Sequence, residues 1–167
     1  MKKLLIMIVF ILSASIAYAQ YGVIEPRGDY REAFTTSSSN VEWSREIDCS
    51  KSKSLMLAEI AKRISISVVV DNMVIGKLEE VDFSGNAKFS TSRIPWDSST
   101  FKADVIYELH NNGYKVTVSN ILYKSHLDDR YLSIHSIIYN ANGNLRSRGD
   151  GDLIYFDNAF CAHLLIE

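Results

Sequence analysis

The sequence predicts an α+β fold: an antiparallel twisted sheet, one helix after the first strand, and a C-terminal helix packed on one face. Three observations carry this expectation. Apolar residues alternate with polar ones over Val41–Cys49 and again over 101–119, the period of a half-buried strand. Apolar residues recur at helical spacing over 50–64 and over 153–164. The periods follow the order strand, helix, several strands, helix, which segregates the helices onto one side of a sheet rather than interleaving them with parallel strands.

Composition bounds the chain before its elements are read. Its 167 residues are 47% hydrophobic, 23% charged and 11% aromatic, with 2 prolines and 8 glycines, which excludes collagen-like and low-complexity chains and argues against disorder. The N-terminus reads as an export signal, residues 1–19. Lys2 and Lys3 precede the apolar run Leu4–Leu12, and Ala17-Tyr18-Ala19 forms a small-x-small cleavage site before Gln20. Nine apolar residues are too few to cross a bilayer, so no stable membrane span is expected. Cleavage leaves 148 residues with 16 basic against 20 acidic side chains, a charge of −4 with histidine neutral. The expected location is the periplasm or the exterior. Gln20 stands where a lipid-bearing cysteine would be, so no lipid anchor is expected.

Residues 20–40 read as a flexible segment, with a turn at Pro26-Arg27-Gly28-Asp29 and small polar residues from Thr35 to Asn40. A single domain, 41–167, follows. Val41, Trp43, Arg45, Ile47 and Cys49 share one face of the first strand, Arg45 being the polar exception. Met56, Leu57, Ile60, Ala61 and Ile64 form the apolar face of the first helix, with Ser50 or Ser52 as its cap. Val68–Val70 ends at an Asp71-Asn72 turn. Met73–Phe83 returns as a strand with Gly76 marking a weak point or bulge. Ser84-Gly85-Asn86 reads as a turn, Ala87–Ile94 as a strand and Pro95–Thr100 as a break. Phe101–Leu109 and Tyr114–Ser119 read as a hairpin about Asn111-Asn112-Gly113, residues that tolerate positive φ. Ser125–Arg130 reads as a loop, and Tyr131–Tyr139 is rich in β-branched and aromatic residues and is closed by a turn at Asn142-Gly143. Asp152 is expected to cap a last helix in which Leu153, Phe156, Phe160 and Leu164 line one side.

Four of these places together resemble a family of uncharacterised exported bacterial domains with a TATA-binding-protein-like (TBP-like) fold. They are Glu46-Ile47-Asp48-Cys49 running into the Ser-Lys-Ser helix, and Asp71-Asn72-Met73-Val74-Ile75-Gly76-Lys77, similar to the family's D…I-x-G-K strand. The others are Val105-Ile106-Tyr107-Glu108-Leu109 and Gly113-Tyr114-Lys115-Val116-Thr117-Val118-Ser119-Asn120, similar to G-x-Y-R-x-T-x-x-N. The resemblance covers Val41–Tyr123. The family usually has Arg in place of Lys115, and its helix is typically richer in aromatics. The resemblance implies a TBP-like fold and an exported location without an activity, since fold does not carry function. A helix-grip arrangement is the alternative fold.

Candidate chemistry is sparse. The acid balance and the export signal argue against nucleic acid, which needs basic side chains to neutralise phosphates. His126, Asp128, Asp129 and His135 are close in sequence and contain metal and acid–base residue types, yet no H-E-x-x-H or comparable spacing is present. No metal or other cofactor is therefore expected. Asn140–Asn144 has the rhythm of a calcium loop without its carboxylates, and a turn is the simpler reading. His163, inside an apolar helix, reads as a hydrogen-bonded packing residue. Arg27-Gly28-Asp29 and Arg148-Gly149-Asp150 match the tripeptide read by integrins, a pattern too short to carry a function. No serine lies in a G-x-S-x-G elbow. Cys49 and Cys161 either form a disulfide closing 112 residues, a constraint of roughly 4–5 kcal/mol, or are two free thiols packed as small apolar groups.

These readings point to a non-catalytic binding or interaction module of the cell envelope, its partner an envelope protein or a small ligand. Its expected working surface is the sheet face not covered by helices, or the loops 93–100 and 123–130. Trp96, beside Pro95, is a candidate contact there, the alternative being that it covers a core edge. Two other readings remain open. A carrier of a small apolar ligand would line a sheet–helix cavity with Tyr107, Tyr114, Phe156 and Phe160. A hydrolase or metal-dependent enzyme would need His126, Asp128 and Asp129 to converge in a cleft with another His.

Overall fold

The computed structural model describes residues 29–37, 39–83, 99–125 and 129–166. The expected export signal, Trp96, the strand expected over 87–94, and His126 and Asp128 lie outside these residues. The described chain is α+β. Seven strands form one open antiparallel sheet: β1 (Phe34–Thr36), β2 (Val41–Asp48), β3 (Ser65–Val70), β4 (Met73–Asp82), β5 (Ser99–His110), β6 (Gly113–Ser125) and β7 (Leu132–Ser133). The order across the sheet is β1-β2-β6-β5-β4-β3, with β7 pairing the far end of β6. The helices are α1 (Lys53–Ile60), the short α2 (His135–Ile138) and the C-terminal α3 (Gly149–Leu164).

Strand–helix–strands–helix order is thus as the periodicity predicts, and the inward side chains alternate as expected. Val41 and Trp43 on β2, Val116 and Val118 on β6, Val105 and Tyr107 on β5, and Val74 on β4 are buried. Their outward neighbours carry Glu46, Lys115, Glu108 and Lys77. Phe156 and Phe160 of α3 close the inner layer, Phe160 against Trp43 (ring centroids 5.3 Å apart) and Phe156 against Phe101 (5.6 Å). Ser52 caps α1, its Oγ accepting from Leu55 N at 3.4 Å.

Several local expectations differ from the structure, each for an identifiable reason. Part of the supposed flexible segment is ordered. Tyr30–Ala33 make a 3-10 turn, capped by the Asp29 side chain, and β1 adds to β2 through Phe34↔Trp43. Ala33 is buried there, and Asp150 of α3 binds Tyr30 Oη and Arg31 Nη2, each at 3.1 Å. Tyr131–Tyr139 is mostly not strand. The Ser133 hydroxyl accepts from His135 N at 3.2 Å and Ser136 donates back to Ser133 O at 2.8 Å, local bonds that turn the chain into α2. Asp152 does not cap α3, which starts three residues earlier; it lies in the buried first turn, where an acidic side chain complements the helix dipole. β5 begins at Ser99, so the expected break does not extend through Thr100.

Glycine acts by close approach rather than by φ at two strand positions. A Cβ on Gly113 would collide with Ile47 O, and one on Gly76 would stand 2.5 Å from Ser65 O. Gly113 is not in the positive-φ region; the hairpin turns on Asn111-Asn112, closed by His110↔Gly113. Gly76 lies beside the register shift in β3, between Ile66 and Val68.

Candidate functional site

The inner face of the sheet is filled. Tyr107 and Tyr114, expected as binding residues, are both 0% exposed and lie ring to ring at 5.7 Å. Each binds the chain end: Tyr107 Oη donates to Leu164 O at 2.8 Å, and Tyr114 Oη accepts from Ile166 N at 2.6 Å. Burial, then the neighbouring Tyr114, pushes the Tyr107 phenol well above its usual range. With Phe156 and Phe160 stacked on each other, the four rings expected to line a ligand cavity pack as core. Tyr107 and Tyr114 thereby fasten residues 164–166 to the sheet, and all four rings are 0% exposed.

A polar cluster crosses the same layer. Asp157 on α3 is 1% exposed in its side chain and faces Arg45, which is 15% exposed. Arg45 Nη2 donates to Asp157 Oδ1 at 2.9 Å and Oδ2 at 2.8 Å, and Trp43 Nε1 donates to Oδ1 at 2.8 Å. This explains the one polar residue on the apolar face of β2. Cys161 Sγ stands 3.9 Å from the same carboxylate. Cys49 and Cys161 are both half-buried, and no disulfide joins them.

The histidines do not assemble a site among the described residues. His135 stacks on Tyr139 at 5.4 Å, and His163 Nε2 lies 3.2 Å from Arg63 O with its ring edge-on to Phe83. His163 is the packing residue expected. No group of three or more His, Cys, Asp or Glu that could hold a metal occurs among the described residues. Asn140–Asn144 is a turn, with Asn140 Oδ1 accepting from Asn142 N and Asn144 N and Gly143 at φ 76°. Gly149 is buried at the start of α3 and Asp150 is engaged by Arg31, so the second Arg-Gly-Asp tripeptide is not presented as a loop.

The outer face is different in kind, since no described helix lies over it. Across it run Glu46↔Lys115↔Glu108, then Ser44↔Thr117↔Ile106↔Ile75, then Ser119↔Asp104↔Lys77. Its most distinctive place lies where two bulges flank the middle of β5. On one side, β4 spends an extra residue between Leu78↔Ala103 and Val81↔Phe101. On the other, β6 spends an extra residue between Ser119↔Asp104 and Leu122↔Lys102. A non-glycine residue within each holds a left-handed backbone, Glu80 at φ 54° and Asn120 at φ 50°. Paired bulges at one level bend three adjacent strands together, since a bulge adds local twist and kinks its strand.

A groove of about 630 Å³ lies at this bend, lined by Lys77, Glu79, Glu80, Lys102, Asp104 and Asn120 together with Leu78, Ala103 and Leu122. Asn120 Nδ2 donates to Asp104 Oδ2 at 2.6 Å. Glu80 accepts from Tyr131 Oη at 3.1 Å and pairs with Lys102 at 3.3 Å. Lys102 Nζ and Lys124 Nζ stand 4.5 and 5.4 Å from the Tyr131 ring centroid, a cation–π arrangement. The Lys102 hydrogen bond, with the Tyr131 bond second, holds the Glu80 carboxyl below its usual range. Lys102 is raised in turn, chiefly by Glu80. The groove therefore offers donors and acceptors of both charges in fixed positions, with no nucleophile–base pair among its described residues.

The sequence pattern pointed to this face, or to the loops 93–100 and 123–130, as the expected working surface, and gave no sign of the groove. Its bulges have no glycine signal, because Glu80 and Asn120 adopt positive φ without one. No protein-family model, no curated protein and no solved structure matches this chain.

Proposed function

We propose that this protein is an exported, non-catalytic binding module of the cell envelope, and that the groove at Glu80 and Asn120, on the sheet face that no described helix covers, is where it binds. The observation that carries this reading is the pair of strained, non-glycine bulges meeting at one level of the sheet. Backbone strain of that kind costs of order 1–3 kcal/mol per residue and is concentrated at functional sites. Here the two strained residues both border the groove. Its mixed charges, with Leu78, Ala103 and Leu122 also in the lining, suit a partner bearing both hydrogen-bond donors and acceptors, such as a peptide segment. The N-terminal signal pattern and the resemblance of Val41–Tyr123 to exported TBP-like domains support the periplasmic or secreted location.

The test is binding of envelope extract to the purified protein, compared with Lys77→Glu/Lys102→Glu. Both side chains are at the groove and away from the core, so the double variant is expected to fold and to lose the bound component. Retention of the same component at the same level would reject the groove as the site.

A further inference from the structure

We propose that Tyr131 is the positioning residue of the outer-face groove, holding Glu80 with its hydroxyl and Lys102 with its ring so that both are set for binding. This inference rests on the groove being the binding site and adds to it a residue that acts through the groove's lining.

Tyr131 immediately precedes β7, whose Leu132 and Ser133 pair with Tyr123 and Leu122 of β6. The same register, continued by one residue, sets Tyr131 opposite Lys124. Lys124 pairs in turn with Thr100 of β5, and Thr100 with Asp82 of β4. From this place the tyrosine side chain crosses three strands. Lys124 Nζ of β6 and Lys102 Nζ of β5 stand 5.4 and 4.5 Å from its ring centroid. Its hydroxyl donates to Glu80 Oε1 of β4 at 3.1 Å, with Thr100 Oγ1 3.5 Å from the same oxygen. Lys102 Nζ is itself 3.3 Å from Glu80 Oε1. Tyrosine, ammonium and carboxylate thus form a closed triangle in which each member touches the other two.

The triangle has a physical use. Lysine and glutamate side chains sample many rotamers, and a partner that must order them on binding loses affinity. Side chains ordered beforehand avoid that loss. Glu80 needs holding for a second reason. Its backbone is left-handed, φ 54°, a conformation that a non-glycine residue keeps only where its surroundings over-determine it. Lys102 and Tyr131 fix its carboxylate from two different parts of the chain. The hydrogen bond from Lys102, then that from Tyr131, holds this carboxyl below its usual range. Glu80 and Lys102 line the groove with side chains 59% and 41% exposed, so the pair is held and still presented to a partner.

The hydroxyl and the ring can be tested separately. Tyr131→Phe keeps the ring beside the two ammonium groups and removes the donor to Glu80, whereas Tyr131→Leu removes both. In nuclear magnetic resonance of the purified protein, the Glu80 carboxyl should titrate at higher pH in Tyr131→Phe than in the parent. The Lys102 and Lys124 ε-methylene signals should keep their upfield ring displacement in Tyr131→Phe and lose it in Tyr131→Leu. With envelope extract as the binding probe, half-saturation should need roughly tenfold more extract in Tyr131→Phe, the value of one net hydrogen bond. Tyr131→Leu should need more again. Circular dichroism establishes folding, and Tyr131→Phe decides alone should Tyr131→Leu fail to fold. An unmoved Glu80 titration in Tyr131→Phe overturns the proposal, and so does a moved titration with half-saturation unchanged. In that second case Lys77→Glu/Lys102→Glu separates the two readings: binding lost there leaves the groove as the site, and binding retained there removes the groove as well.

Discussion

Replacing Asp157 by Ala would strand the Arg45 guanidinium in a setting where it is 15% exposed, and would leave the Trp43 indole N–H without its acceptor. Removing one partner of a buried ion pair typically costs about 3–5 kcal/mol. Urea unfolding should show a loss of that order for Asp157→Ala. Arg45→Met/Asp157→Leu, which removes both charges, should lose less than Asp157→Ala alone. Equal losses would mean that the pair acts only through packing. Arg45 was visible in the sequence as an exception to the alternation of β2. Its explanation was not, because Asp157 is 112 positions away and the two meet only when α3 docks on the sheet.

His163 supplies a pH test at the same scale. Burial lowers its pKa, outweighing its backbone contact with Arg63 O. A histidine held neutral in the native state takes up a proton more readily when unfolded. Its contribution is thus complete above the unfolded value of about 6.5 and declines as pH falls toward the lower native value. Stability measured from pH 8 to pH 5 should fall, and His163→Gln should flatten that slope. Glu59 acts in a separate, more acidic window. Lys62, then Arg63, holds its carboxyl at about 2, so its contribution is lost between the ordinary carboxylate range and that value. An unchanged slope in His163→Gln would assign the acid sensitivity elsewhere.

At the scale of elements, the strands with clean alternation were legible and the places where alternation is interrupted were not. β2, β5, β6 and the apolar stripe of α3 follow from side-chain period alone. The bulges in β4 and β6 each insert one residue, which period counting absorbs as noise because the residues on either side still alternate. Tyr131–Tyr139 misled for the opposite reason: its β-branched content favours strand, but hydrogen bonds through Ser133 and Ser136 give its backbone a local alternative. If the bulges are kept for binding, relieving one should not harm the fold. Glu80→Gly removes the side-chain penalty of a left-handed residue, about 1–2 kcal/mol, against the entropic cost of glycine, about 0.5–1 kcal/mol. The variant is expected to be as stable as the parent or about 1 kcal/mol more stable by urea unfolding, and to bind less. A loss well above 1 kcal/mol would show that Glu80 is retained for stability.

For the whole molecule, the two faces of one sheet have different fates. The inner face is covered by α3 and by the tyrosines that hold residues 164–166, whereas among the described residues no helix covers the outer face, which carries the groove. The sequence alternation predicted two faces and which residues belong to each. It did not predict that Tyr107 and Tyr114 are consumed by the core, because an aromatic on an inward face reads the same whether it lines a cavity or fills one. Hydrogen exchange of the purified protein, with and without envelope extract, tests the binding surface most directly. Protection gained over 77–82 and 102–104, together with 119–122, is the predicted result. Protection confined to α3 and the inner strands, or no protection anywhere, would contradict it.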